Sequence, residues 1–105
     1  MTMENEKDFI VCDYENCLAV RVQNEDMKGA YIPCGAVAVV HKQRTANNGD
    51  IVLVAHNSKQ DFRYYHKNGE TEYLAAANGT IPPVIIGESD DFIILGKVIE
   101  IRIEL

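Results

Sequence analysis

Apolar residues in this chain recur at every second position or in short unbroken runs, and nowhere at helical spacing for more than a turn or two. Side chains that alternate between two faces belong to strands, so the pattern commits the chain to a mostly β fold with little helix. Residues 36–41 and 51–55 are valine-rich runs of the buried-strand kind, separated by the turn Asn47-Asn48-Gly49-Asp50. Residues 62–66 and 71–75 flank Asn68-Gly69. Asn-Gly between two β-prone runs predicts a hairpin closed by a type I′ turn, in which both central residues have φ > 0. Residues 84–86 form a short strand ended by Gly87. From Ile99 the chain alternates, with Ile99, Ile101, Ile103 and Leu105 on one face and Glu100, Arg102 and Glu104 on the other. Gly96, inside that last run, predicts a bulge or bend. Residues 24–31 have room for a single short helical turn.

A chain of 105 residues is long enough for one core and too short for two. Residues 1–8 are polar and acidic and read as a flexible tail, which leaves residues 9–105 as the domain. Lys and Arg number 10 and Asp and Glu 16, a net charge of −6. That balance argues against direct nucleic-acid contact, which wants clustered cations. No apolar run approaches the roughly 20 residues that cross a bilayer, and the polar N-terminus does not resemble a secretion signal. The three cysteines, Cys12, Cys17 and Cys34, are odd in number and form no Cys-x-x-Cys. Reduced thiols in a cytoplasm are the expectation. His41, His56 and His66 are not spaced as metal partners for them, so neither metal nor cofactor is expected.

The order of the pieces carries more than any one of them. Val20-Arg21-Val22, Asn24-Glu25-Asp26-Met27, Ile32-Pro33-Cys34-Gly35, Val40-His41-Lys42 and Asn48-Gly49-Asp50-Ile51-Val52 follow one another. Further on come Phe62-Arg63-Tyr64-Tyr65, Pro83-Val84-Ile85 and Ile94-Leu95-Gly96-Lys97-Val98. This sequence resembles the C-terminal domain of LexA, UmuD and related phage repressors, the self-cleaving Ser/Lys peptidases. The likeness runs from about Cys17 onward, without a gap from Ala19 to at least Ile86. It implies a LexA- and signal-peptidase-like coiled β-sheet fold with hairpins.

The family's chemistry needs a serine in a Gly-x-Ser-Met turn and a downstream lysine, buried and neutral, that takes the serine's proton. On the resemblance, Asp26 stands at the serine's position, before the expected Met27, and Arg63 at the lysine's. Arginine stays protonated and cannot act as a general base. A carboxylate has no hydroxyl proton to give up. The only serines, Ser58 in a hairpin connection and Ser89 in an acidic loop, lie elsewhere, and Lys28 and Lys42 have no serine to serve. The Ala-Gly bond that relatives cut is not found upstream of Asp26, and the helix-turn-helix of family repressors is not in these residues. The expectation is therefore a pseudo-peptidase, not an enzyme, in which Asp26 and Arg63 meet as a partly buried ion pair. It would act as a dimerisation or regulatory module of a repressor or SOS-type response protein. One alternative is an active self-cleaving relative using other residues. Another is a module that binds a peptide or protein strand in the vacant cleavage groove by β-addition.

Family relatives pair their terminal strands across a two-fold axis, which makes Ile99, Ile101 and Ile103 the candidate homodimer interface. Tyr64, Tyr65 and Tyr73 read as cross-strand packing pairs. Glu88, Asp90 and Asp91 read as a solvated acidic loop, since calcium-ligand spacing is missing. His41 takes a structural role, and Cys34 that of a small packed residue.

Overall fold

The structure, a computed structural model, describes residues 16–104. The tail expected over residues 1–8, Cys12 and Leu105 lie outside the described residues. One antiparallel sheet of seven strands organises the described residues in the order β1-β2-β7-β3-β4-β5-β6. The strands are β1 (Cys17–Arg21), β2 (Val37–Lys42), β3 (Ile51–His56), β4 (Lys59–Asn68), β5 (Thr71–Ala75), β6 (Val84–Ile85) and β7 (Phe92–Arg102). A 3-10 turn, Lys28–Ala30, lies inside the segment given room for one.

Successive residues of β2 and β3 point to opposite faces and are apolar on both, which creates two cores, one on each face of the sheet. Ala38, Val40, Leu53 and Phe62 join Val22, Met27 and Ile32 from the loop between β1 and β2 on the first face. Val52, Val54, Tyr65, Leu74 and Ile94 pack on the second. Val40, Val52 and Val54 are almost wholly buried, each contributing about 1.5–3 kcal/mol of transfer free energy. A sheet buried on both faces reads as unbroken apolar runs, which is why β2 and β3 show no alternation in the sequence.

Two hairpin turns close β4, and their chemistry differs from the expected one. Between β4 and β5, Asn68 pairs with Thr71, so Gly69 and Glu70 are the central residues. Only Gly69 has positive φ (64°), the pattern of a type II′ turn. The I′ pattern occurs instead between β3 and β4, where His56 pairs with Lys59 and both Asn57 (51°) and Ser58 (71°) are left-handed.

β7 lies between β2 and β3 and carries two irregularities. Gly96 pairs with Leu53 but Ile94 with Val54, leaving Leu95 as an extra residue beside the glycine. A side chain at Gly96 would collide with the His41 carbonyl and the Val40 side chain, so the bulge expected there is also a point of close backbone approach. A second bulge places Glu100 opposite Val39 and Val98 opposite Val40, with Ile99 between. It breaks the alternation read from the sequence. Ile101, opposite Ala38, turns toward the first core, whereas Ile99 and Ile103 are 38% and 53% exposed. The three isoleucines therefore do not form one exposed stripe.

The tyrosines do not pair with one another. Tyr64 lies opposite Ala75, Tyr65 opposite Leu74, and Tyr73 opposite His66, on which it stacks at 4.8 Å. Cys34 is exposed rather than packed, because Gly35 and Pro33 carry the turn that holds it at the surface.

Candidate functional site

The loop after β1 is pinned at both ends by burial. Val22, Met27, Ile32 and Ala36 enter the first core, which holds Asp26 against the middle of β4. The Asn24 side chain accepts the Asp26 N–H at 3.0 Å, a local turn that short polar side chains make readily. The Asp26 carbonyl accepts from Ala77 N–H at 2.9 Å, and the Gly29 N–H donates to the Ala77 carbonyl at 2.7 Å. A Cβ at Gly29 would lie 2.6 Å from that carbonyl oxygen, so only glycine permits the docking. Asp26 is thus positioned by its own loop and by the segment that follows β5.

Arg63 comes to Asp26 from β4. Its Nη2 donates to Asp26 Oδ2 at 3.0 Å, and the two side chains are only 12% and 20% exposed. The expected contact between these residues is present, through one carboxylate oxygen. Arg63 Nη2 also lies 3.9 Å from Asp61 Oδ1, a buried oxygen with no hydrogen-bond partner among the described residues. Asp61 was not among the residues read from the sequence. Its signal was its place two residues before Arg63, since period-two alternation puts both on one side of the strand.

The other guanidinium nitrogen matters for what the site can bind. Tyr65 N–H donates to Asp50 O at 2.8 Å and Tyr65 O accepts from Gly49 N–H at 2.7 Å. Both point toward β3, so by alternation the main chain of Phe62 points the other way. The β5 ladder begins only at Tyr64, so among the described residues no strand pairs with that side of Phe62. Arg63 Nη1 donates to the Phe62 carbonyl at 2.7 Å. The arginine therefore holds Asp26 with one nitrogen and caps the edge of its own strand with the other.

Beside this cluster the coiled sheet forms a trough of about 530 Å³, with Leu18, Val20, Leu53 and Leu95 among its walls and Lys42 and Arg44 at its rim. A smaller recess of about 100 Å³ continues it from Val20 and Leu53 to Asp61. Lys28 is exposed in the 3-10 turn, Ser58 lies in the β3–β4 turn and Ser89 in the loop before β7, so no serine approaches Asp26. His41 Nδ1 is 2.9 Å from Gln43 Oε1. The acidic loop is tied to the hairpin: Asp90 lies 3.4 Å from His56, and Asp91 N–H donates to Asn57 Oδ1 at 2.9 Å. The Gly87 N–H, Asn57 and His56 hold the Asp90 carboxyl below its usual range. Among the described residues no group of three or more His, Cys, Asp or Glu could hold a metal ion. No helix among them is long and apolar enough to cross a membrane.

Comparison with known proteins matches residues 3–99 to the family described as Peptidase S24-like. The chain is 33% identical over 86 residues to the LexA repressor of Magnetococcus marinus, covering 82% of the chain and 37% of that protein. It is 36% identical over 80 residues to the LexA repressor of Finegoldia magna, covering 76% and 37%. To the LexA repressor of Limosilactobacillus fermentum it is 34% identical over 89 residues, covering 83% and 41%. The chain thus spans about two fifths of the length of these curated relatives.

Proposed function

The chain belongs to the Peptidase S24-like family, and from that premise we propose that it is a LexA-type repressor relative whose domain has lost peptide-bond chemistry and serves as a dimerising regulatory module. The observation that carries this reading is the 3.0 Å contact between Arg63 and Asp26. On the family resemblance these residues stand where the peptidase keeps its lysine and serine. A guanidinium cannot take a proton at that position and a carboxylate has none to give. The ion pair satisfies both groups and leaves neither to attack an amide.

The same arginine weighs against the peptide-binding alternative. Strand addition needs free edge groups on the receiving strand, and Arg63 Nη1 already occupies the Phe62 carbonyl. For dimerisation the supporting feature is the end of β7. Its ladder with β3 stops at Lys97, while that with β2 continues to Arg102. Among the described residues no strand pairs with the side of residues 98–101 that β3 leaves, and Ile99 and Ile103 are exposed beside it. An uncovered edge of this kind invites pairing with a second copy. Free thiols at Cys17 and Cys34 suit a cytoplasmic setting.

The test is solution mass by light scattering over a concentration series, joined to a protein-cleavage assay. The reading predicts a dimer of twice the 11.8 kDa chain, its dissociation promoted by Ile99→Lys, and no cleavage. A monomer at every concentration removes the dimerising role. Cleavage lost on changing Asp26 or Arg63 restores the enzymatic alternative.

A further inference from the structure

We propose that the face of the sheet opposite the trough carries a second binding site, built for a small amphipathic carboxylate. The cavity is about 430 Å³ and lies between the loop after β2, the ends of β4 and β5, and the start of β7. That volume falls in the range of small-molecule pockets, which combine apolar walls with a few convergent polar groups. Here Ala46, Phe92, Ile93 and Ile94 supply the apolar surface, and Arg44, Lys67, Tyr65 and Glu72 the polar one. Ala46, Phe92, Tyr65 and Ile94 belong to the second core, so the site stands apart from Asp26 and Arg63. Arg44, at the end of the sheet, is the one lining residue it shares with the trough.

Charge decides the class of ligand. Glu72 is the only carboxylate lining the cavity, and it already accepts the Tyr65 hydroxyl at 2.5 Å. Neither Arg44 nor Lys67 makes an ion pair among the described residues, although Lys67 lies directly across the ladder from Glu72. Arg44 is held in place by donating Nη1 to the Ile94 carbonyl at 3.2 Å, which leaves its other donors for a ligand. In a chain of net charge −6, two cations without an ion-pair partner among the described residues line one cavity of mixed polar and apolar wall. A ligand with one carboxylate and a ring or short alkyl body satisfies both: the carboxylate between Arg44 and Lys67, the body on Phe92 and Ile94. Burial keeps the Tyr65 hydroxyl protonated, so the wall adds no further negative charge near neutral pH.

The experiment titrates the full chain with 1-naphthoate by calorimetry, with methyl NMR of Ile93 and Ile94 as the site readout. The expected result is saturable one-to-one binding that shifts those methyls. Lys67→Gln and Arg44→Gln should each weaken it about tenfold, the effect of one lost charge contact of about 1.4 kcal/mol. Lys42→Gln, at the rim of the trough, should leave it unchanged, and the neutral analogue 1-naphthylmethanol should bind about tenfold more weakly. Absence of saturation, equal affinity for the neutral analogue, or weakening by Lys42→Gln in place of Lys67→Gln would each overturn the proposal.

Discussion

Arg63 divides its guanidinium among three oxygens: the Phe62 carbonyl at 2.7 Å, Asp26 at 3.0 Å and Asp61 at 3.9 Å. Removing it strands two carboxylates in a partly buried setting, and an uncompensated charge is what makes breaking such pairs costly. Arg63→Ala is expected to lower unfolding free energy by about 2–4 kcal/mol in urea titration. Replacing the pair together, Arg63→Met with Asp26→Leu, should cost less than Arg63→Ala alone, because desolvation then disappears with the charges. Equal losses would mean that the arginine acts by packing instead. Both members of the pair were legible in the sequence because the ordered motifs around them fix their positions. Asp61 was not, since a lone carboxylate on a polar strand end reads as solvated until the fold brings an arginine over it.

At the scale of elements, strands were easier to read than turns. Valine runs set β2 and β3 almost to the residue, whereas Asn-Gly pointed to the wrong turn type. Asn68 stays in its strand and pairs with Thr71, so Gly69 alone supplies the positive φ. The β3–β4 turn needs two left-handed residues and puts a serine in the second position, at φ 71°. A left-handed non-glycine residue costs roughly 1 kcal/mol. Ser58→Gly should therefore stabilise the chain by up to about 0.5 kcal/mol, the relief of strain minus the added entropy of the unfolded chain. Thermal melting reads it, and a lowered melting temperature would contradict the assignment of strain. The bulge at Gly96 was foreseen because glycine in a strand marks one. The bulge at Ile99 was not, because the adjoining Val98 and Ile99 read as the end of an apolar run with no glycine to mark a bulge, and it is this bulge that turns Ile99 away from Ile101.

Across the whole molecule, the mostly β class and the number of long strands could be read locally, but the strand order could not. β7 enters between β2 and β3 from about half the chain's length away, and pairing at that separation leaves no local mark. One titratable hydroxyl, that of Tyr65, lies in the second of the two cores that result. Burial, then the hydrogen bond and charge of Glu72, push the Tyr65 hydroxyl from 10.0 up to about 12. A folded-state value above the unfolded one contributes stability that is complete below the unfolded value and is lost as pH rises through the folded one. Stability should thus fall between pH 10 and about 12, and Tyr65→Phe should flatten that fall in an alkaline denaturation series. The central claim, that the pair of Asp26 and Arg63 ends proteolysis, is tested most directly by intact-mass spectrometry. The wild-type chain would be incubated at neutral and alkaline pH, alone and with an unfolded protein substrate. The account predicts that both remain uncut. Fragments that appear with wild type and vanish with Asp26→Asn would contradict it.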